Sequence, residues 1–232
     1  MSSPFNASTG LAGAYLDAGW LDGAISLYER LLADSMRVLG EAHVFVLTYR
    51  SNLASAYQWE GRLADATALF EGVLADRERL LGEAHPDTLH ARHNLAYGYR
   101  AAGRVDEATG MFERVLGDSE LVRGETHPDT LQCRGNLASA YQAAGRVDEA
   151  IALHEQTLAG RQQLLGESHP STLASLGNLA SAYRAAGRHE EAIPLFDRVL
   201  AEAEQLLGGD HPFTLLARSN LTSAYEADGR WN

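Results

Sequence analysis

The stretch HPDTLHARHNLAYGYRAAGRVDEATGMFERVLGDSELVRGE, residues 85–125, falls on itself when slid along the chain by 42 residues. Gly19, Gly61, Gly103, Gly145, Gly187 and Gly229 keep that step, and so do Tyr15, Tyr57, Tyr99, Tyr141, Tyr183 and Tyr225. Asn52, Asn94, Asn136, Asn178 and Asn220 form a third series, and His43, His85, His127, His169 and His211 a fourth. A fixed period of this size marks a solenoid, in which each unit buries its apolar face only against its neighbours. The expected fold is therefore an all-α, right-handed superhelical solenoid of helix-turn-helix units.

Within one unit the apolar spacing is helical. Leu89, Leu95, Ala96 and Tyr99 line one face of a first helix. Pro86 suits its first turn, with Asp87 and Thr88 expected to cap its free N–H groups. Gly103 stands where a left-handed residue would end it. A second stripe follows at Val105, Ala108, Phe112, Val115 and Leu116, with Asp106 and Glu107 in a first turn, where the helix dipole favours acids. A loop built on Gly-Glu-x-His-Pro then leads into the next unit.

The run Asn-Leu-Ala-x-x-Tyr-x-x-x-Gly-Arg-x-x-Glu-Ala resembles the tetratricopeptide repeat. The unit is longer than the common 34 residues, and its extension ending in Leu-Gly-Glu-x-His-Pro resembles the 42-residue variety of kinesin light chains and of many bacterial and fungal signalling proteins. An armadillo-type solenoid has a similar period but needs a third helix, for which this unit has no room. On this reading residues 1–232 form a single array. It comprises a degenerate repeat over 1–42, repeats over 43–84, 85–126, 127–168 and 169–210, and a half repeat over 211–232, eleven helices in all.

Composition narrows the function classes. The 232 residues carry a net charge of −12, and all 19 basic residues are arginine. Without lysine no phosphate-binding Gly-Lys-Ser/Thr loop can exist. An acidic total argues against nucleic acid. The absence of lysine, with the wealth of alanine, glycine and leucine, suggests a GC-rich bacterial genome. No apolar stretch approaches the ~18 residues of a membrane helix, and no signal peptide is read at the start. The lone Cys133 fits a reducing compartment, so the expected location is the cytoplasm. No cofactor is expected. The repeat histidines sit one per unit and cannot converge on one ion, while His90 and His93 offer too few ligands for zinc. Each loop histidine is expected instead to hydrogen-bond the start of the next helix. Cys133 is expected to be buried and inert, and no acid–base constellation for an enzyme is found.

The resemblance implies that first helices line a concave groove. In repeat three its positions are His90, His93, Asn94, Tyr97, Arg100 and Ala101, with copies that include Asn52, Ser55, Gln58 and Trp59 in repeat two and Asn178, Ser181 and Arg184 in repeat five. Relatives use the asparagine to hydrogen-bond a bound peptide, which suits an amide carrying both donors and acceptor. The five asparagines would span about twelve residues of extended peptide at ~3.3 Å each. A second reading, in which each asparagine ties adjacent repeats together, stands beside the first. Over the first helices six arginines face four acids, leaving +2 there and −14 elsewhere. A mildly basic groove would favour a neutral or acidic peptide.

Irregular positions are where specificity would lie. Trp59 replaces alanine, His93 replaces serine or glycine, and Tyr97 replaces serine, with Arg100 one turn on. Such residues often anchor interfaces, although drift on a neutral surface would also produce them. The expected function is a scaffold that captures an extended peptide, as the sensor or adaptor part of a larger signalling protein. The rival is a self-associating structural repeat protein. It rests on the half repeat, where Leu215, Leu221, Ala224 and Tyr225 present an apolar face with no second helix to cover it and Trp231 marks the missing helix. Either the next helix has been cut away from a longer chain, or two such ends form a homodimer, or one meets Phe5, Leu11 and Tyr15 of another chain.

Overall fold

A computed structural model describes residues 14–15 and 19–229. It contains ten complete helices among the described residues: α1 Leu21–Leu39, α2 Val44–Glu60, α3 Leu63–Leu81, α4 Pro86–Ala101, α5 Val105–Arg123, α6 Pro128–Ala143, α7 Val147–Leu165, α8 Pro170–Ala185, α9 His189–Leu207 and α10 Pro212–Ala227. The first helix of the degenerate repeat over 1–42 lies outside the described residues except at Ala14 and Tyr15, which are helical. Phe5, Leu11 and Trp231 lie outside them too. The chain divides into two compact units, Met1–Met111 and Phe112–Asn232. Within each unit consecutive helices pack in pairs, and successive first helices also touch: α2 with α4 in one, α6 with α8 and α8 with α10 in the other.

The helix boundaries follow from the repeat residues, with one correction. Histidine, not Asp87 or Thr88, is the N-cap. His85 Nδ1 accepts the N–H of Asp87 at 3.1 Å, and His43, His127, His169 and His211 do the same two residues on at 3.1–3.2 Å. A neutral imidazole offers an acceptor nitrogen, so it can satisfy an orphan donor as serine or aspartate would. Proline follows at the first helical position in α4, α6, α8 and α10. Thr88 instead turns inward, with no exposed surface, and donates to the Arg77 carbonyl. At the other end Gly103 has φ +73°, and the N–H groups of Gly103 and Arg104 close back on the carbonyls of Arg100 and Tyr99. This is the left-handed helix stop the glycine predicts.

Small residues set the packing. Ala54, Ala96, Ala138 and Ala180 on first helices and Ala66, Ala108, Ala150 and Ala192 on second helices are buried, which lets backbones approach closely. The larger filler comes from one position per second helix: Tyr28, Phe70, Phe112, His154 and Phe196, each buried. Leu89, Leu131 and Leu173 are 1–2% exposed, whereas Leu215 at the same position is 48% exposed. The open face expected on α10 is thus divided. Ala224 is buried, and Leu221 and Tyr225 pack against Ile193 and Phe196 of α9, leaving Leu215 and Leu216 uncovered.

A tyrosine clamp repeats beside this core. The hydroxyls of Tyr57, Tyr99, Tyr141 and Tyr183 donate to Glu29, Glu71, Glu113 and Glu155 of the preceding second helix at 2.6–3.0 Å. Tyr225 does so to Asp197 at 3.2 Å. Arg62, Arg104, Arg146 and Arg188 lie 3.7–4.4 Å above the first four rings. Burial and the acceptor carboxylates push the phenol pKa values up, so the hydroxyls stay protonated as donors.

Candidate functional site

On α4 the buried side carries Leu89, Ala91, Arg92, Leu95, Ala96 and Gly98. The other side carries the residues assigned to a groove. His90, Arg100 and Ala101 are exposed there, and His93, Asn94 and Tyr97 are half-buried. The same register holds on α2, where Trp59 is 67% exposed while Ala54, Ala56 and Tyr57 are buried.

Two of the irregular residues, Trp59 and Tyr97, share one place. A cavity of about 180 Å³ is lined by Ser55, Gln58 and Trp59 of α2, Asn94 and Tyr97 of α4, and Phe70 of α3 at its base. Gly98 replaces the alanine found at this position in the other repeats, and a Cβ there would meet Phe70 Cδ2 at 3.0 Å. Tyr97 stacks on His93 with ring centroids 5.0 Å apart and planes at 10°, and the Arg100 guanidinium lies 4.9 Å from the Tyr97 ring. Spacings of three and four residues on one helix produce this column. Its sites combine an apolar floor, aromatic walls and amide and hydroxyl groups on the rim, a composition suited to a side chain with its flanking peptide bond.

The asparagines are not equivalent. Asn136 is 9% exposed and accepts from Gln132 Nε2 at 3.1 Å, a bond within α6. Asn52, Asn94 and Asn220 are half-buried and Asn178 is exposed. None of these four has a side-chain hydrogen bond to protein among the described residues. Their amides are left to solvent or to a ligand.

The charge expected of this face needs correction. Four of its six arginines belong to ion pairs with a neighbouring second helix: Arg50 with Asp76 of the following one at 3.0 Å, and with the preceding one Arg92 to Glu78 at 2.8 Å, and Arg134 to Glu120 and Arg218 to Glu204 at 2.6 Å. Their partners neutralise them. Arg100 and Arg184 have no ion pair among the described residues, so any preference for acidic segments rests on these two. Neither these pairs nor the tyrosine clamps were read from the sequence. The signals were present, since Glu29, Glu71, Glu113, Glu155 and Asp197, like Glu78, Glu120 and Glu204, follow the 42-residue step.

Other chemistry is sparse. Cys133 is 5% exposed with Sγ 3.8 Å from Ser119 Oγ, and burial pushes its thiol pKa up, which disfavours the reactive thiolate. Among the described residues no cluster of three or more His, Cys, Asp or Glu could hold a metal ion. No described helix is long and apolar enough to cross a membrane.

Comparison with known proteins places this geometry. The profile described as "Tetratricopeptide repeat" matches residues 45–120, 99–163, 129–201 and 171–232. The crystal structure of nearly identical TPR-like repeats from a Podosopora anserina protein of kinesin-light-chain type is 35% identical. It covers 89% of this chain and 99% of that one with a TM-score of 0.76. BtubC (BKLC) from P. vanneervenii is 23% identical over 90% of this chain and 84% of that one, with a TM-score of 0.75. A Rap protein complexed with Competence and Sporulation Factor is 12% identical over 98% of this chain and 64% of that one, with a TM-score of 0.73. The last two likenesses concern fold alone. No curated protein matches the sequence.

Proposed function

The chain belongs to the tetratricopeptide repeat family, whose arrays are generally scaffolds for protein interaction, and we propose that it captures an extended, neutral to acidic peptide segment of a partner protein on the outward faces of its first helices. The observation that carries this reading is the set of open amides on Asn52, Asn94, Asn178 and Asn220. An amide can both donate to and accept from a peptide backbone, and so can hold it without regard to sequence. Trp59 and Tyr97, with Asn94 beside them, supply the anchor pocket. Arg100 and Arg184 supply positive charge. His90 and His93 flank the pocket on α4, and Asn136 continues the series in the second unit. The chain works by binding rather than by catalysis, as an adaptor or sensor in the cytoplasm.

The test compares capture of partners from the source organism by the parent and by two variants. Trp59→Ala with Tyr97→Ala should weaken binding of the captured segment by about 2 kcal/mol, roughly 30-fold, with helical content unchanged. Asn52→Ala with Asn178→Ala should do so without touching the pocket walls. Equal capture by parent and both variants would remove the reading.

Self-association is the second reading, and Leu215 and Leu216 carry it. At 48% and 58% exposed they are adjacent leucines without cover on α10. Two α10 faces meeting about a twofold axis would bury them, each with ~25 cal/mol per Å2 of apolar area removed from water. Sedimentation should then show a dimer that Leu215→Glu with Leu216→Glu converts to monomer. A parent that stays monomeric at high micromolar concentration rules this out.

A further inference from the structure

Arg161, on the last turns of α7, differs in its surroundings from its counterpart Arg77, which is buried, has no ion pair among the described residues and donates to the Asp87 carbonyl at 2.7 Å. Arg77 holds the same repeat position on α3, with Asp76 and Glu78 beside it and Asp87 beyond the loop. At Arg161 all three acids are gone, replaced by Gly160, Gln162 and Ser171. The cation nevertheless remains half-buried. Its Nη1 donates to the Ser171 carbonyl at 3.0 Å and to Ser175 Oγ at 2.8 Å, and its Nη2 to Gln132 Oε1 at 2.8 Å. Every acceptor is neutral, and Arg161 has no ion pair among the described residues. Burial lowers its pKa, with no neighbouring acid to offset the effect.

A half-buried guanidinium gives up hydration, and a charged acceptor bonds it more strongly than a neutral oxygen, so an anion would be favoured here. Space for that exists. Arg161 and Gln132 line a cavity of about 240 Å³ together with Ser171, Leu131, Leu164 and Leu165. The leucine walls are apolar, and Leu164 and Leu165 remain partly open to solvent at its mouth. Asp129 also borders the cavity, but its carboxylate lies 3.6 Å from Arg123 Nε, so that charge is compensated elsewhere.

We propose that this cavity in the second unit binds a carboxylate borne on a short, branched apolar body. The arriving oxygens would displace the Gln132 amide oxygen from Arg161 Nη2, exchanging a neutral acceptor for a charged one, which makes the shorter and stronger hydrogen bond. The apolar body would lie against Leu131, Leu164 and Leu165. Asn136, already bonded to Gln132, would hold the displaced amide. This site shares none of the pocket residues of the first unit, and so stands whether or not the peptide reading does.

Such a ligand has two sources, a free small acid or the C-terminus of a chain ending in an apolar residue. Titration of the full chain with isovalerate, N-acetyl-leucine and N-acetyl-leucinamide separates them, read from the Arg161 Nε–H and the Leu164, Leu165 and Ser171 amide signals by NMR. At least one of the acids should bind with a dissociation constant on the order of 1 mM, as expected for so small a ligand, and the neutral amide should not. The tighter acid identifies the source. Gln132→Glu places an internal carboxylate 2.8 Å from Nη2 on an exposed side chain, and should weaken binding at least tenfold while leaving the fold intact. Arg161→Gln should abolish it. Equal binding of the amide, failure of both acids, or an unchanged constant in Gln132→Glu would overturn the proposal.

Discussion

Between pH 6.5 and about 4 the unit Phe112–Asn232 is expected to lose about 3 kcal/mol of stability that a His154→Phe variant retains. His154 is 1% exposed on α7, where Phe70, Phe112 and Phe196 stand in other repeats. Burial disfavours the imidazolium and lowers its pKa from 6.5 to about 4. In that window the unfolded chain takes up a proton that the folded chain refuses, so stability falls as pH falls. Phenylalanine does not titrate and fits the repeat pattern, so the variant should lack this slope. Glu149 and Glu202 have lowered pKa values through Arg146 and Arg198. Their contribution is present above the ordinary carboxylate range and lost below it, in parent and variant alike. Urea titrations at pH 6.5 and near pH 4 would check this. A parent whose midpoint moves no further than that of His154→Phe contradicts it.

Glu78→Gln is expected to destabilise the unit Met1–Met111 by about 3 kcal/mol, the lower end for breaking a buried ion pair. Arg92 has no exposed surface and its partner Glu78 sits 2.8 Å away with its side chain 34% exposed. Glutamine keeps the shape but withdraws one negative charge from beside the buried cation. Adding Arg92→Leu should recover most of the loss, because the chain already carries that solution. At the equivalent junction in the second unit Gln162 and Leu176 occupy these positions, and Leu176 packs with Val199 and Ala217. A double-mutant cycle by denaturant unfolding measures the coupling. If the single variant is as stable as the parent, or the double no better than the single, the pair is not what holds this junction.

The outlier cluster shows how far a repeat sequence reaches toward a site. Trp59 and Tyr97 lie 38 residues apart, and only their shared departure from the repeat consensus links them. The register then puts both on outward faces of first helices, and the structure brings them to one cavity over Phe70. The arginines show the opposite. Arg92 and Arg100 both lie on α4, yet one is buried in a junction pair and the other exposed beside Tyr97. Counting charge by helix cannot separate them, because eight residues amount to little more than two turns and turn a side chain by about 80°.

Helix positions, their stops at glycine and the face each presents were determined by sequence alone, because they depend on contacts within one repeat or between adjacent copies. The bond from each loop histidine to the next helix start was legible too, but that it makes the cap in place of Asp87 or Thr88 depends on which nitrogen the loop geometry turns toward the helix. Tertiary structure alone decided which polar groups are spent inside the fold and which are left over. Glu78 and Glu120 are consumed by Arg92 and Arg134 across a junction, while the same step leaves Gln162 and Leu176 uncharged and Arg161 without an acid. Whether a buried charge is satisfied depends on atoms about 3 Å apart that are 14 to 29 residues apart in the chain.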